Sequence, residues 1–205
     1  ASKIDLNGIS IQPFAVSHLI KAIGILNDGQ IFASIDIAEN QTNICFLKGS
    51  VIQFHRELSL GGEQITRAIS QENTKPVLRR LANEINRSFD YYKEQFNQAK
   101  IDRIFVSGSE SSILNLAQYL SSALSSPVEI LNVLSGIELG PALINSDKIK
   151  DDLPQITTSI GLALSGSREI NFLIKHKQKH SVQLPFNLDK LLSKSLGNTV
   201  QISIA

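Results

Sequence analysis

Apolar residues alternate through Ile31, Ala33 and Ile35 up to Asp36. They resume at Ile44 and Phe46 and again at Val51, Ile52 and Phe54. A two-residue period is that of a strand. Residues 31–66 therefore read as a strand ending in an acid, a tight polar turn, a second strand, a short turn and a third strand, after which Gly61-Gly62 opens a helix. The turn Ala38-Glu39-Asn40-Gln41-Thr42-Asn43 offers backbone N–H groups and the Thr42 and Asn43 side chains, with Asp36 where the chain reverses. Such a hairpin can wrap a phosphate. A plain β-meander with a polar turn is the other reading, since short polar turns are common.

Either side of this stretch the period becomes helical. Phe14, Val16, Leu19, Ile20 and Ile23 predict a helix over 13–26, closed by Asn27-Asp28-Gly29. Leu78, Leu81, Ile85, Phe89, Tyr92 and Phe96 form one stripe and predict a helix over 75–98. Arg79, Arg80, Glu84, Arg87 and Lys93 lie mostly off the stripe, and Pro76 suits the first turn. A buried strand over 103–106 leads to the turn Ser107-Gly108-Ser109-Glu110. A helix from Ser111 carries Ile113, Leu116, Ala117, Leu120 and Leu124, and an edge-like strand covers 128–131. No internal repeat is visible.

Several blocks together resemble one family, the type IV pilus assembly protein PilM, an actin-like protein related to the cell-division protein FtsA. PilM-like chains carry an Asp-Ile-Gly-Ala-Ser hairpin, a strand ending in Gly-Gly-Glu, a helix reading Glu-Ile-x-Arg-Ser-Leu-Asp-Tyr-Tyr, and a Ser-Gly-Gly-Gly turn. This sequence has DIAENQTN at 36–43, LGGEQIT at 60–66, EINRSFDYYKEQ at 84–95 and FVSGSE at 105–110. PVEILNVLSGIELGP and ITTSIGLAL match the family's closing strand, loop and last helix. The EINRSFDYY block is the specific part. The resemblance runs from about Ile9 to Leu164 and implies an α/β fold, an actin-like (ribonuclease H-like) lobe with a mixed sheet flanked by helices. It covers only the second half of a PilM-like protein. That implies residues 1–30 as a crossover segment and helix from a preceding lobe, 31–165 as the second lobe, and 166–205 as a C-terminal extension. A fragment or a short paralogue is expected, and the absence of methionine agrees.

In actin-like folds a nucleotide lies between two lobes, gripped by a phosphate hairpin from each, with the Ser-Gly-Gly-Gly turn against the adenosine. The resemblance thus implies ATP with magnesium as cofactor, held by Asp36, Ala38, Asn40, Thr42, Asn43, Gly108, Ser109 and Glu110. The sequence departs from the pattern at both places. Glycine lets backbone approach a phosphate or base because no Cβ intervenes, yet the family's glycine after Asp-Ile is Ala38, and Ser109 and Glu110 replace two further glycines. Glu39 and Glu110 add carboxylates where an anion would lie. Two unit charges about 4 Å apart repel by about 4 kcal/mol at an effective dielectric of about 20. ATP binding is therefore expected to be weak if either points inward. Asp36 is read either as holding a magnesium-bound water or as an acid capping the turn.

Composition narrows the partners. The net charge of +1 gives no nucleic-acid footprint. The single Cys45 argues for a reducing compartment and reads as a small core side chain. His18, His55, His176 and His180 show no metal spacing, the serines form no Gly-x-Ser-x-Gly elbow, and no run is long enough for a membrane span.

After Ser165 the chain changes character. REINFLIKHKQKH at 168–180 is an apolar patch followed by a basic run, and reads as a solvated tail or half-polar strand. Alternatively Glu169-Ile170-Asn171-Phe172-Leu173 resembles the Ile-Asn-Leu-Leu-Pro peptide that begins PilN, the membrane partner of PilM, in the arrangement of GspL-like type II secretion proteins. An amphipathic helix with Leu188, Leu191, Leu192 and Leu196, then VQISIA, closes the chain.

Three function classes remain. The resemblance points first to a scaffold at the cytoplasmic face of the inner membrane. It would bind PilN-like assembly proteins, meet the membrane only through partners or an anchor, and be open to homo-oligomerisation. The second class is a nucleotide switch or weak ATPase of the same fold, for which the glycines are missing. The third is a filament-forming protein, of which the sequence bears no specific sign. Interfaces are expected near Gly61-Gly62 and at the exposed face of the long helix around Tyr91 and Tyr92, with core packing of the tyrosines the alternative.

Overall fold

The computed structural model describes residues 3–4, 8–25, 27, 29–97, 100–108, 115–133, 156–165 and 182–183. In chain order the elements are β1 (Lys3–Ile4), α1 (Gln12–Ala22), β2 (Ile31–Ile37), β3 (Thr42–Lys48), β4 (Val51–Leu58), α2 (Gly62–Ser70), α3 (Thr74–Gln95), β5 (Arg103–Ser107), α4 (Leu116–Ala123), β6 (Val128–Ile130), α5 (Thr157–Leu164) and β7 (Val182–Gln183).

Five strands form a mixed sheet in the order β4-β3-β2-β5-β6, and β1 pairs with β7 apart from it. The meander β2-β3-β4 is antiparallel, whereas β2-β5 and β5-β6 are parallel. Parallel neighbours need crossovers, and α2–α3 and then α4 supply them on one face of the sheet.

Strand parity sorts the two cores. Ile31, Ala33, Ile35 and Ile37 face one way with Ile44, Phe46, Ile104 and Val106, against Ile65 of α2, Leu81, Ile85, Phe89 and Tyr92 of α3, and Leu116 and Leu120 of α4. Phe32, Cys45, Leu47 and Phe105 face the other way, against Val16, Leu19 and Ile20 of α1. With helices on both faces every residue of β2 is buried, so its mixed composition reflects two cores rather than a wet face and a dry one. Aromatic stacking holds each side: Phe46 lies 4.3 Å from the Tyr92 ring and 5.4 Å from Phe89, edge-on, while Phe32 stacks on Phe105 at 5.9 Å. Such pairs add about 0.5–1.5 kcal/mol beyond area burial.

α1 packs on the same sheet as the rest and on α5. A Cβ on Gly161 of α5 would stand 2.5 Å from the carbonyl carbon of Ala15, so only glycine admits this approach of the two helices. Ser17 donates a hydrogen bond to the carbonyl of Ser50 at 2.8 Å and ties α1 to the β3–β4 turn.

Two helices end earlier than their periodicity suggests. α1 stops at Ala22, where Gly24 turns to φ +66° and its N–H bonds the Lys21 carbonyl. α3 stops at Gln95, just before Asn97 at φ +49°. In both, one left-handed residue ends the helix although apolar residues continue. The expected helix start at 111, the 168–180 segment with its Glu169–Leu173 peptide, and the closing helix over 188–196 lie outside the described residues.

Candidate functional site

The hairpin expected to wrap a phosphate is present, and its reversal is shorter than the sequence suggests. β2 runs on through Asp36 to Ile37, and β3 begins at Thr42, so only residues 38–41 turn. Asn40 is exposed at the tip. Thr42 and Asn43 are strand residues, opposite Ile37 and Asp36 in register. Parity places Thr42 on the α2–α3 face, where it is fully buried and donates to the Leu60 carbonyl at 2.6 Å. Asn43 is buried on the α1 face. Neither side chain belongs to the turn, which corrects that expectation: the antiparallel ladder pairs residues up to Ala38 and Gln41 before the chain can reverse.

The turn is also seated on the start of α2. The Ala38 N–H donates to the Gln41 carbonyl at 2.9 Å, the Gly62 N–H to the Ala38 carbonyl at 2.8 Å, and the Glu63 N–H to the Glu39 carbonyl at 2.8 Å. Two of the donors a helix N-terminus leaves open are thereby taken by the hairpin. The Gln64 side chain accepts from the Gly61 N–H at 2.8 Å and covers a further amide. Glu39 and Glu63 line a cavity of about 350 Å³ beside the turn with Thr66, Arg67 and Ser70. Its one cation, Arg67, is paired with Glu63 at 2.6 Å.

Asp36 neither ends its strand nor caps the turn. Parity turns it to the α1 face, where Ser107 stands directly across in β5. Ser107 Oγ donates to Asp36 Oδ1 at 2.9 Å, and Gln12 Nε2, from the first turn of α1, donates to Oδ2 at 3.3 Å. Burial pushes the Asp36 carboxyl above the ordinary 3.8, and the hydrogen bonds from Ser107 and Gln12 pull it part of the way back. The Gln12 Oε1 atom beside it is buried without a hydrogen-bond partner among the described residues. Sequence reasoning passed over Gln12 and placed Ser107 in the turn after β5, whereas it is the last residue of that strand. The only signal for Gln12 was a polar residue ahead of Pro13 at a helix start.

Gly108 is buried at φ +100°, and a Cβ there would stand 2.6 Å from the Ile37 carbonyl carbon. Its bare side thus meets the end of β2. Ser109 and Glu110 lie outside the described residues. A second cavity of about 390 Å³, mostly apolar, opens between α2, α3 and α4, lined by Ile65, Ile69, Leu78, Leu116 and Tyr119. Of the two tyrosines considered for an interface, Tyr92 is fully buried, whereas Tyr91 is half exposed and packs on Phe54 at 5.0 Å. No His/Cys/Asp/Glu cluster suited to a metal occurs among the described residues, and none of their helices is long and apolar enough to cross a membrane.

Residues 70–167, from the end of α2 through α5, match the family model of the type IV pilus assembly protein PilM. Among solved structures, a chain of the PilM–PilN type IV pilus biogenesis complex is 23% identical, with a TM-score of 0.68 over 76% of this chain and 52% of that one. The ethanolamine utilization protein EutJ from Carboxydothermus hydrogenoformans is 17% identical, with a TM-score of 0.49 over 76% and 53%. An archaeal actin homolog is 12% identical, with a TM-score of 0.46 over 74% and 53%. The chain spans about half the length of these structures. A mixed five-stranded sheet between helices and the first of these likenesses agree on an actin-like fold, within which residues 70–167 are similar to the PilM family.

Proposed function

We propose that this domain is a protein-binding scaffold in the assembly of a type IV pilus or a related type II secretion machine, with a nucleotide site that has lost its hold on phosphate. It would work at the cytoplasmic face of the inner membrane, and its partner would be a PilN-like membrane protein. The similar structure is that of a PilM–PilN complex, twice the length of the present match. The observation that carries the degenerate site is the inward closure of the hairpin. The Ala38 N–H is spent within the turn, the Gly62 and Glu63 N–H groups are spent on it, and the Thr42 hydroxyl is spent on Leu60. What faces the adjacent cavity is a pair of carboxylates, Glu39 and Glu63, with an arginine already paired. That set fits a triphosphate poorly, because each carboxylate repels the anion.

A second reading, an ATP-binding switch, draws on the unsatisfied Gln12 Oε1 beside Asp36 and on the apolar cavity bordered by Leu78 and Tyr119. A buried acceptor next to a carboxylate could receive a metal-bound water. Calorimetric titration with Mg-ATP separates the two readings, run on the parent chain and on a Ser109→Gly, Glu110→Gly variant. The scaffold reading expects no binding by the parent. Recovery in the variant would locate the loss in the turn after β5. Micromolar binding by the parent would replace the scaffold reading with the switch. Titration with a PilN-type Ile-Asn-Leu-Leu-Pro peptide tests the partner separately.

A further inference from the structure

The outer face of α3 carries a concentration of charge that neither core nor hairpin uses. Lys75, Arg79, Asn83 and Arg87 are spaced four apart and so stand in one row along the helix. With Arg80 and Glu84 they line a groove of about 440 Å³. Four cations thus meet one carboxylate, in a chain whose net charge is only +1. That carboxylate is already engaged: Arg56 lies 2.9 Å from Glu84 Oε2 and Arg87 lies 2.8 Å from Oε1. Among the described residues Lys75, Arg79 and Arg80 make no ion pair. The first turn of α3 has no acidic residue, so the positive end of the helix dipole adds to the same potential.

We propose that this groove binds an acidic segment of a partner protein, laid along α3. From Lys75 to Arg87 the helix rises about 18 Å, a length that an extended peptide covers in about five or six residues. Three of the four cations are arginines, whose planar forks take carboxylates in a bidentate way. A lipid surface fits less well. The apolar stripe of α3 is already buried in the core, so the helix has nothing to insert. Attraction to headgroups alone calls for clusters of about four to eight basic residues, against three unpaired ones here. The inference rests on charge and shape and stands whether or not the pilus reading holds.

The test is fluorescence anisotropy of the whole chain with a labelled glutamate-rich peptide of about eight residues. An Arg79→Glu, Arg80→Glu variant is compared with a Lys48→Glu control at the exposed end of β3. Binding should weaken about tenfold or more in the double variant, weaken with added salt, and stay unchanged in the control. Both arginines are exposed, so circular dichroism should show an intact fold. Should charge reversal unfold the chain, an Arg79→Gln, Arg80→Gln pair makes the same comparison. No binding by the parent, or equal binding by parent and variant, overturns the proposal. So does tighter binding to phosphatidylserine vesicles or to a single-stranded DNA oligonucleotide than to the peptide.

Discussion

The carbonyl oxygen of Ala38 fills the space that a Cβ on Gly61 would need, at 2.5 Å, with the Asn40 carbonyl carbon at 2.6 Å and the Gln41 nitrogen also in contact. All three are backbone atoms and cannot rotate aside. The glycine that reads as an opening toward a ligand is here the seat of the hairpin. Gly61→Ala should cost about 1–3 kcal/mol, the usual range for overpacking a tight site. Gly108→Ala should cost more, since it adds a positive φ to its overlap with Ile37. Urea denaturation reads both, and unchanged midpoints would contradict the account of the seat.

Tyr92 is tied down at both ends. Its ring stacks on Phe46 at 4.3 Å and on Phe96 at 4.9 Å, and its hydroxyl donates to Gln53 Oε1 on β4. Tyr92→Phe keeps the stack and loses one hydrogen bond, worth about 1 kcal/mol. Tyr92→Ala also opens a cavity and should cost about 3–5 kcal/mol. Equal losses in the two variants would show that the ring contributes little.

Asp36 has a pH signature. Its folded-state pKa lies above 3.8 because burial disfavours the charged form. The group therefore favours folding while protonated, and that contribution is lost as pH rises from the unfolded value through the folded one. Asp36→Asn removes the ionisation, and Gln12 can turn its free Oε1 toward the new amide. The variant should gain stability relative to the parent near neutral pH, and the difference should disappear below about pH 4. A difference that instead grows on acidification would reverse the sign of the shift.

Cys45 is 2% exposed, and burial pushes its thiol up to about 12. Only the thiolate reacts readily, so iodoacetamide should leave the folded chain unmodified and alkylate it in urea. Rapid labelling of the native chain, followed by mass spectrometry, would place Cys45 outside the core.

Much of the fold was legible because it is written in local periods. The alternation of Ile31, Ala33 and Ile35 and the stripe from Leu78 to Tyr92 each belong to one element, and the sequence carries both unaided. The same is true of the EINRSFDYY block behind the family resemblance, which lies inside α3 and within the matched residues 70–167.

The site was less legible because its contacts join distant parts of the chain. Gln12 and Ser107 reach Asp36 across separations of 24 and 71 residues, and nothing in the local pattern of either announces it. Thr42 and Asn43 read as turn residues by type, yet the ladder of β2 with β3 continued past them and placed one on each face of the sheet. Local pattern alone places a polar turn after an acid-bearing strand and before a glycine pair. That the turn closes on this pair and the acid turns to α1 follows from packing between distant segments. Periodicity is a property of neighbours along the chain, whereas the direction of a carboxylate or an amide is set by whichever distant backbone packs against it.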